Sequence, residues 1–115
     1  MYADGHTSEW HVAGETFNSF NIDKNGLVSL RIQNGIKYVG VQALMNASQL
    51  SSVELPSTLI ELKQNAFDAC NLLSVSIPEG TYALRKQCLQ DNRDMKTVVI
   101  PSTVDTIESD SFYLC

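Results

Sequence analysis

Leu50-Ser-Ser-Val53-Glu-Leu55-Pro56 returns as Leu72-Leu-Ser-Val75-Ser-Ile77-Pro78 and again as Met95-Lys-Thr-Val98-Val-Ile100-Pro101, at intervals of 22 and 23 residues. A fixed period in the twenties marks a solenoid, in which each unit is one turn of a coil that buries its apolar side only by stacking on its neighbours. Working outward, Leu27-Val-Ser-Leu30-Arg-Ile32-Gln33 fits the same template upstream, with glutamine where the later copies carry proline. The repeat units run 27–49, 50–71, 72–94 and 95–115. Four units clear the minimum of about three that such an array needs.

Local chemistry says how each unit folds. The triplets Leu30-Arg-Ile32, Val53-Glu-Leu55, Val75-Ser-Ile77 and Val98-Val-Ile100 set apolar side chains two residues apart, so both face one side of a short strand. The proline that follows has no N–H to donate and turns the chain out of the ladder. Leu59-x-x-Leu62 or Val104-x-x-Ile107, then Ala66-Phe67 or Ser111-Phe112, carry the chain across the far side, where short strands or single helical turns are expected. The period therefore predicts a β-rich, right-handed coil of 22–23-residue units with short parallel strands. The third unit places Thr81 and Asn92 where the second has leucine and cysteine, and Tyr82 is expected to turn inward in compensation.

Taken together, Leu-x-x-Val-x-Ile-Pro, the apolar pair three apart and Ala-Phe-x-x-Cys resemble the BspA-like class of leucine-rich repeats over residues 27–115. Gln33 departs from the proline, Leu44 and Leu89 from the phenylalanine, and Ala47 and Asn92 from the cysteine. These changes weaken single units without disturbing the period. What the resemblance implies is a family of microbial proteins, mostly surface-exposed or secreted, that act in adhesion and protein binding and share no catalytic site.

Residues 1–26 stand outside the repeats and are expected to cap the array or to be a leader left from another domain. In the cap reading, Phe17-Asn-Ser-Phe20-Asn-Ile22 forms a β-hairpin with Leu27–Ile32 through Asp23-Lys-Asn-Gly26, Trp10-His-Val12 adds a strand, and Trp10, Phe17 and Phe20 cover the first coil. At the other end the repeats halt at Cys115 without a cap, so the expectation is that the natural chain continues or that copies associate through that coil. Asn21-Ile-Asp23-Lys-Asn25-Gly26 imitates the opening of a calcium loop, but the twelfth position is Ile32 instead of a bidentate glutamate. A structural turn is expected there.

Composition narrows the chemistry. With 115 residues, 43% hydrophobic, the chain suits one domain, and its 13 acidic and 8 basic residues give a net charge of −5. That balance argues against a nucleic-acid backbone or an anionic membrane as partner. No apolar run approaches the roughly 20 residues of a membrane span, and no signal peptide is evident, so membrane insertion is not expected. Cys70 and Cys115 share a phase two units apart, which puts them about 10 Å from each other and beyond bridging range. Cys88 faces the interior in the phase of Ala66, so three free thiols are expected, with Cys115 the one able to link two chains. His6 and His11, with Asp4 and Glu9 nearby, match no metal-ligand spacing. Glu79, Asp91, Asp94, Asp105 and Asp110 scatter over turns, and no nucleophile or phosphate-loop motif is present. No enzyme, cofactor or metal site is assigned.

A binding face can be placed without naming its ligand. On each strand the residues between core positions project from the inner sheet of the solenoid, away from the core, and form two rows, Ser29, Ser52, Ser74, Thr97 and Arg31, Glu54, Ser76, Val99. The first row is small and hydroxylated, open to a flat polypeptide or a glycan. The second varies in charge and size, which is where discrimination would lie. The function expected is a protein-binding or adhesion module of a cell-surface or secreted protein; the alternative is a spacer that forms a homo-oligomer through its C-terminal coil.

Overall fold

The computed structural model describes residues 7–10 along the backbone, 16–18, and 23–115. In chain order the strands are β1 (Thr7–Trp10), β2 (Thr16–Phe17), β3 (Ser29–Ile32), β4 (Tyr38–Val39), β5 (Ser52–Glu54), β6 (Glu61–Leu62), β7 (Ser74–Ser76), β8 (Ala83–Leu84), β9 (Thr97–Val99) and β10 (Thr106–Ile107). Every pairing is parallel, as a coil that returns to the same side once per turn requires. The even-numbered strands form one continuous sheet, β2-β4-β6-β8-β10, whereas the odd-numbered ones divide into β1-β3-β5 and β7-β9. No helix occurs among the described residues.

Each coil has three sides. The first is the strand triplet, and the corner after it closes with Leu59, Thr81 and Val104 N–H groups donating to the carbonyls of Pro56, Pro78 and Pro101 at 3.1–3.2 Å. A two-residue strand makes the second side, as expected around Leu62 and Ile107. The third side, residues 41–46, 64–69, 86–91 and 109–114, is a run of turns and not the helical turn that the sequence suggested. Left-handed backbone recurs there in two columns, Gln42, Asn65, Gln87, Asp110 and Asn46, Ala69, Asp91, Leu114. A left-handed residue at every fourth position prevents helical propagation. It also reverses the ladder: on this side Leu44, Phe67 and Leu89 N–H groups donate forward to Ala66, Cys88 and Ser111 at 2.7, 2.8 and 3.0 Å, while on the second side Lys63, Arg85 and Glu108 donate backward to Val39, Leu62 and Leu84 at 2.9 Å.

Between these sides lies one core in which equivalent side chains stack. Leu30 stands opposite Val53, and Val75 opposite Val98. Phe17, Leu27, Leu44, Leu50, Leu62, Phe67, Leu72, Leu84 and Leu89 are fully buried. Thr81 is buried as well, and it needs no help from Tyr82, which is 41% exposed: the Thr81 Oγ1 hydroxyl donates to the Leu59 carbonyl at 2.9 Å. A hydroxyl that satisfies itself across the coils replaces the apolar side chain, so the expected inward turn of Tyr82 does not occur. Upstream of the repeats, β1 and β2 stack in parallel on β3 and β4, with Ser8 opposite Leu30 and Phe17 opposite Val39. Both offsets equal the 22-residue period, so these strands extend the coil geometry. Of the expected hairpin arm at 17–22, Phe17 lies in β2 and pairs in parallel with Val39 instead of with the strand after the turn, while residues 19–22, with Phe20, lie outside the described residues.

Candidate binding face

The outer surface of the first side carries both rows of expected contact residues. Ser52, Ser74, Thr97, Arg31, Glu54, Ser76 and Val99 are exposed and Ser29 is half-buried. Register brings them side by side, Ser29 opposite Ser52 and Arg31 opposite Glu54 in one group, Ser74 opposite Thr97 and Ser76 opposite Val99 in the other. Arg31 Nε donates to Glu54 Oε2 at 2.5 Å, an exposed pair that links β3 to β5.

The outer surface of the second side is a different kind of surface, because its own side chains cover it. Glu61 is only 5% exposed, gripped by Lys63 Nζ at 2.7 Å and Arg85 Nε at 2.5 Å, and Arg85 Nη1 reaches on to Glu108 at 3.0 Å. Lys63 lies over the Tyr38 ring at 4.8 Å and Arg85 over Tyr82 at 5.7 Å. Burial pushes the Glu61 carboxyl up, yet the hydrogen bonds from Lys63 and Arg85 outweigh it and hold the group below its ordinary value. The two carboxylates in turn hold the Arg85 proton more tightly than usual. A partner meeting this side would have to break a satisfied ladder.

Among the described residues, clefts open on the first side. One of about 480 Å³ is lined by Arg31, Ile32, Gln33, Asn34, Glu54, Leu55 and Pro56, and the next, about 430 Å³, by Ser52, Val53, Glu54, Leu55, Ser76 and Pro78. They share Glu54 and Leu55 and so adjoin across the strand exits. Sequence alternation did not reveal the second, because it assigns Val53 and Leu55 to the core, and both are only half-buried. The missed signal is a spacing: Ser48-Gln49 and Arg93-Asp94 connect the third side to β5 and β9, but Asn71 alone leads into β7.

The cysteines pack, as their phases indicated. Cys70 and Cys88 are buried and Cys115 is exposed. Burial pushes the Cys70 and Cys88 thiols up to about 12. Cys70 and Cys115 each donate an S–H to the carbonyl one coil back, of Leu44 and Leu89, at 3.1 Å. Asn92, in the same phase, does this with its amide, donating to Phe67 and Leu89 carbonyls at 3.0 and 2.8 Å. The calcium-like segment is a turn where it is described: Asn25 N–H donates to Asp23 Oδ1 at 3.0 Å and Gly26 is left-handed at φ 71°. Asn21 and Ile22, like His6 and His11, lie outside the described residues.

Comparison with known proteins places this architecture. A family model described as "BspA type Leucine rich repeat region" matches residues 15–115 in six copies. Among solved structures, the T. pallidum leucine-rich repeat protein TpLRR is similar with a TM-score of 0.76 at 21% identity, over 93% of this chain and 47% of its own. The pneumococcal vaccine antigen PcpA matches at 0.67 and 13%, over 93% and 33%. A leucine-rich cell surface protein of Faecalibacterium prausnitzii A2-165 matches at 0.51 and 23%, over 78% and 31%. The chain thus spans less than half the length of each. No curated protein matches its sequence.

Proposed function

Because the chain belongs to the BspA type leucine-rich repeat family, we propose that it is a protein-binding and adhesion module of a microbial cell-surface or secreted protein, engaging its partner through the outer face of the first sheet. The observation that carries this reading is the contrast between the two sheet faces. One presents small hydroxyls, an Arg31–Glu54 pair and clefts; the other is sealed by Lys63, Glu61, Arg85 and Glu108. Solenoids commonly bind through extended faces of the first sort. The net charge of −5 favours a neutral or basic partner. The surface location rests on the family and on neighbours named as a vaccine antigen and a cell surface protein.

The test is a binder selected by display against the whole chain, measured on the parent and on Arg31→Glu with Glu54→Arg. The exchange retains an opposite-charge pair between positions 31 and 54 while reversing the charge order along the face. A loss of at least about tenfold, worth 1.4 kcal/mol, is expected. Unchanged affinity, together with sensitivity to Lys63→Glu, would move the site to the second sheet. A spacer or self-assembly role is the second reading, favoured by the apolar flank of the fourth coil, where Ile100 and Ile107 are 42% and 49% exposed. Light scattering with Cys115→Ser addresses it: a concentration-dependent increase in mass supports assembly, and a constant monomer mass rejects it.

A further inference from the structure

We infer that the seam between the second and third coils is an anchoring pocket for one apolar side chain presented by an extended polypeptide, an inference that rests on the face reading above for its biological use. Four observations meet at this seam. The connection from Cys70 to Leu72 has one residue, Asn71, where the equivalent connections have two. The backbone ladder from β5 to β7 stops after the Leu73 N–H bond to the Ser51 carbonyl at 3.3 Å, and no strand pairing joins the two. Val53 and Leu55 are half-buried, although Leu30 and Ile32 before them are 1% and 2% exposed and Val75 and Ile77 after them 3% and 2%. The cleft of about 430 Å³ lies on these residues.

A coil flanked on both sides should hide its whole apolar column, and this coil does so on its second side, where Leu59 and Leu62 are 1% and 0% exposed. The opening is therefore local to the first sheet. It is also held in place, because side chains tie the same seam elsewhere. Arg85 grips Glu61 at 2.5 Å, and Gln90 Nε2 donates to Asp68 Oδ2 at 3.2 Å. The Leu72 N–H, left over by the short connection, donates to Asn92 Oδ1 at 2.9 Å.

The pocket's chemistry selects the occupant. Val53, Leu55 and Pro78 give it an aliphatic lining, which gains from burying an apolar side chain in proportion to the area removed from water. Ser52 and Ser76 offer hydroxyls to the backbone on either side of that side chain. A buried anchor surrounded by a polar rim is how protein contacts concentrate their binding energy.

The test needs no natural partner. The 15N-labelled chain is titrated with N-acetyl-leucinamide and, separately, with N-acetyl-alaninamide. Saturable shifts in the millimolar range are expected at the amides of Val53, Glu54, Leu55, Ser76 and Ile77, at least fivefold weaker for the alanine probe. Ser76→Leu, at an exposed position on the cleft, should abolish them, Ser52→Leu provides a second filling variant, and Thr97→Leu on the same sheet should leave them intact. Absent shifts, shifts spread over the whole face, or shifts that survive both filling variants overturn the pocket. The outcome separates from that of the Arg31–Glu54 exchange: a failed titration removes the pocket alone, whereas probe binding with an exchange-insensitive binder removes the face reading.

Discussion

Asn92 shows how one side chain carries several obligations in a stacked fold. It is fully buried, donates to Phe67 and Leu89 carbonyls, and accepts from the Leu72 N–H that the short connection leaves over. Asn92→Ala strands the Phe67 carbonyl and the Leu72 N–H, leaves the Leu89 carbonyl to the Cys115 thiol alone, and should lower stability by about 2–4 kcal/mol in urea denaturation. Asn92→Cys, which restores the family residue, still strands the Leu72 N–H and should cost about 1–2 kcal/mol; a variant as stable as the parent would show that this N–H has another partner. Ala69 lies in the left-handed column that Asn46 and Asp91 also occupy, at φ 59°. Ala69→Asn should gain about 0.5–1 kcal/mol, since asparagine tolerates that conformation better. For the thiols, burial raises Cys70 and Cys88 from 9.0 to about 12 in the folded chain. Their contribution is fully present below pH 9 and is lost as pH rises toward 12, because the unfolded thiols ionise first. In the native state a thiol reagent near pH 8 should label Cys115 well ahead of the other two, which should react only on unfolding.

Elements inherit these residue rules to unequal degrees. The ladder of Glu61 in β6 with Lys63, Arg85 and Glu108, the residues that follow β6, β8 and β10, stabilises the second sheet from outside. Because the Glu61 pKa is lowered on folding, its contribution is present above the ordinary value of 4.5 and is lost as pH falls through the folded value. Glu61→Gln should cost about 1–2 kcal/mol at pH 7 and flatten the acid side of the stability profile, measured by thermal melts from pH 7 down to 3. Strands were legible because alternation and proline corners repeat in phase: Val75-Ser-Ile77-Pro78 contains its own strand, face and stop. The turns of the third side were not, because left-handed backbone falls on Gln42, Asn65, Gln87 and Asp110 alike, and glutamine carries no signal for it. Alternation also pointed both rows away from the core, where all but the half-buried Ser29 are exposed. It could not show the pocket: the missing residue beside Asn71 is visible in the spacing, but its effect on β5 and β7 arises from packing between coils.

At the scale of the whole molecule the first sheet and its corner clamps join the four coils in pairs, while the second sheet and the third side run through all of them. Thr58 Oγ1 accepts the Gly35 N–H at 2.9 Å and donates to the Ile36 carbonyl at 2.7 Å, clamping the first and second coils. Thr103 Oγ1 repeats the device on Gly80 and Thr81 at 3.1 and 2.8 Å, clamping the third and fourth. At the seam between the pairs, glycine replaces threonine in the clamp's phase, and it can because Gly80 is left-handed at φ 99°. The first sheet divides at the same seam, while the second runs through it unbroken. Repeat arrays distribute stability between the units and their nearest-neighbour contacts, so the weakest interface sets where the array opens first. Native-state hydrogen exchange should therefore show the amides of β5 and β7 that face each other opening at a free energy at least about 1 kcal/mol below those of β4, β6 and β8. The difference should vanish when, in the Cys115→Ser chain, Ser52→Cys and Ser74→Cys are joined by a bismaleimide crosslinker across the seam. Equal protection in the uncrosslinked chain would mean that the third side and the Glu61–Arg85 contact lock all four coils into one cooperative unit despite the divided sheet.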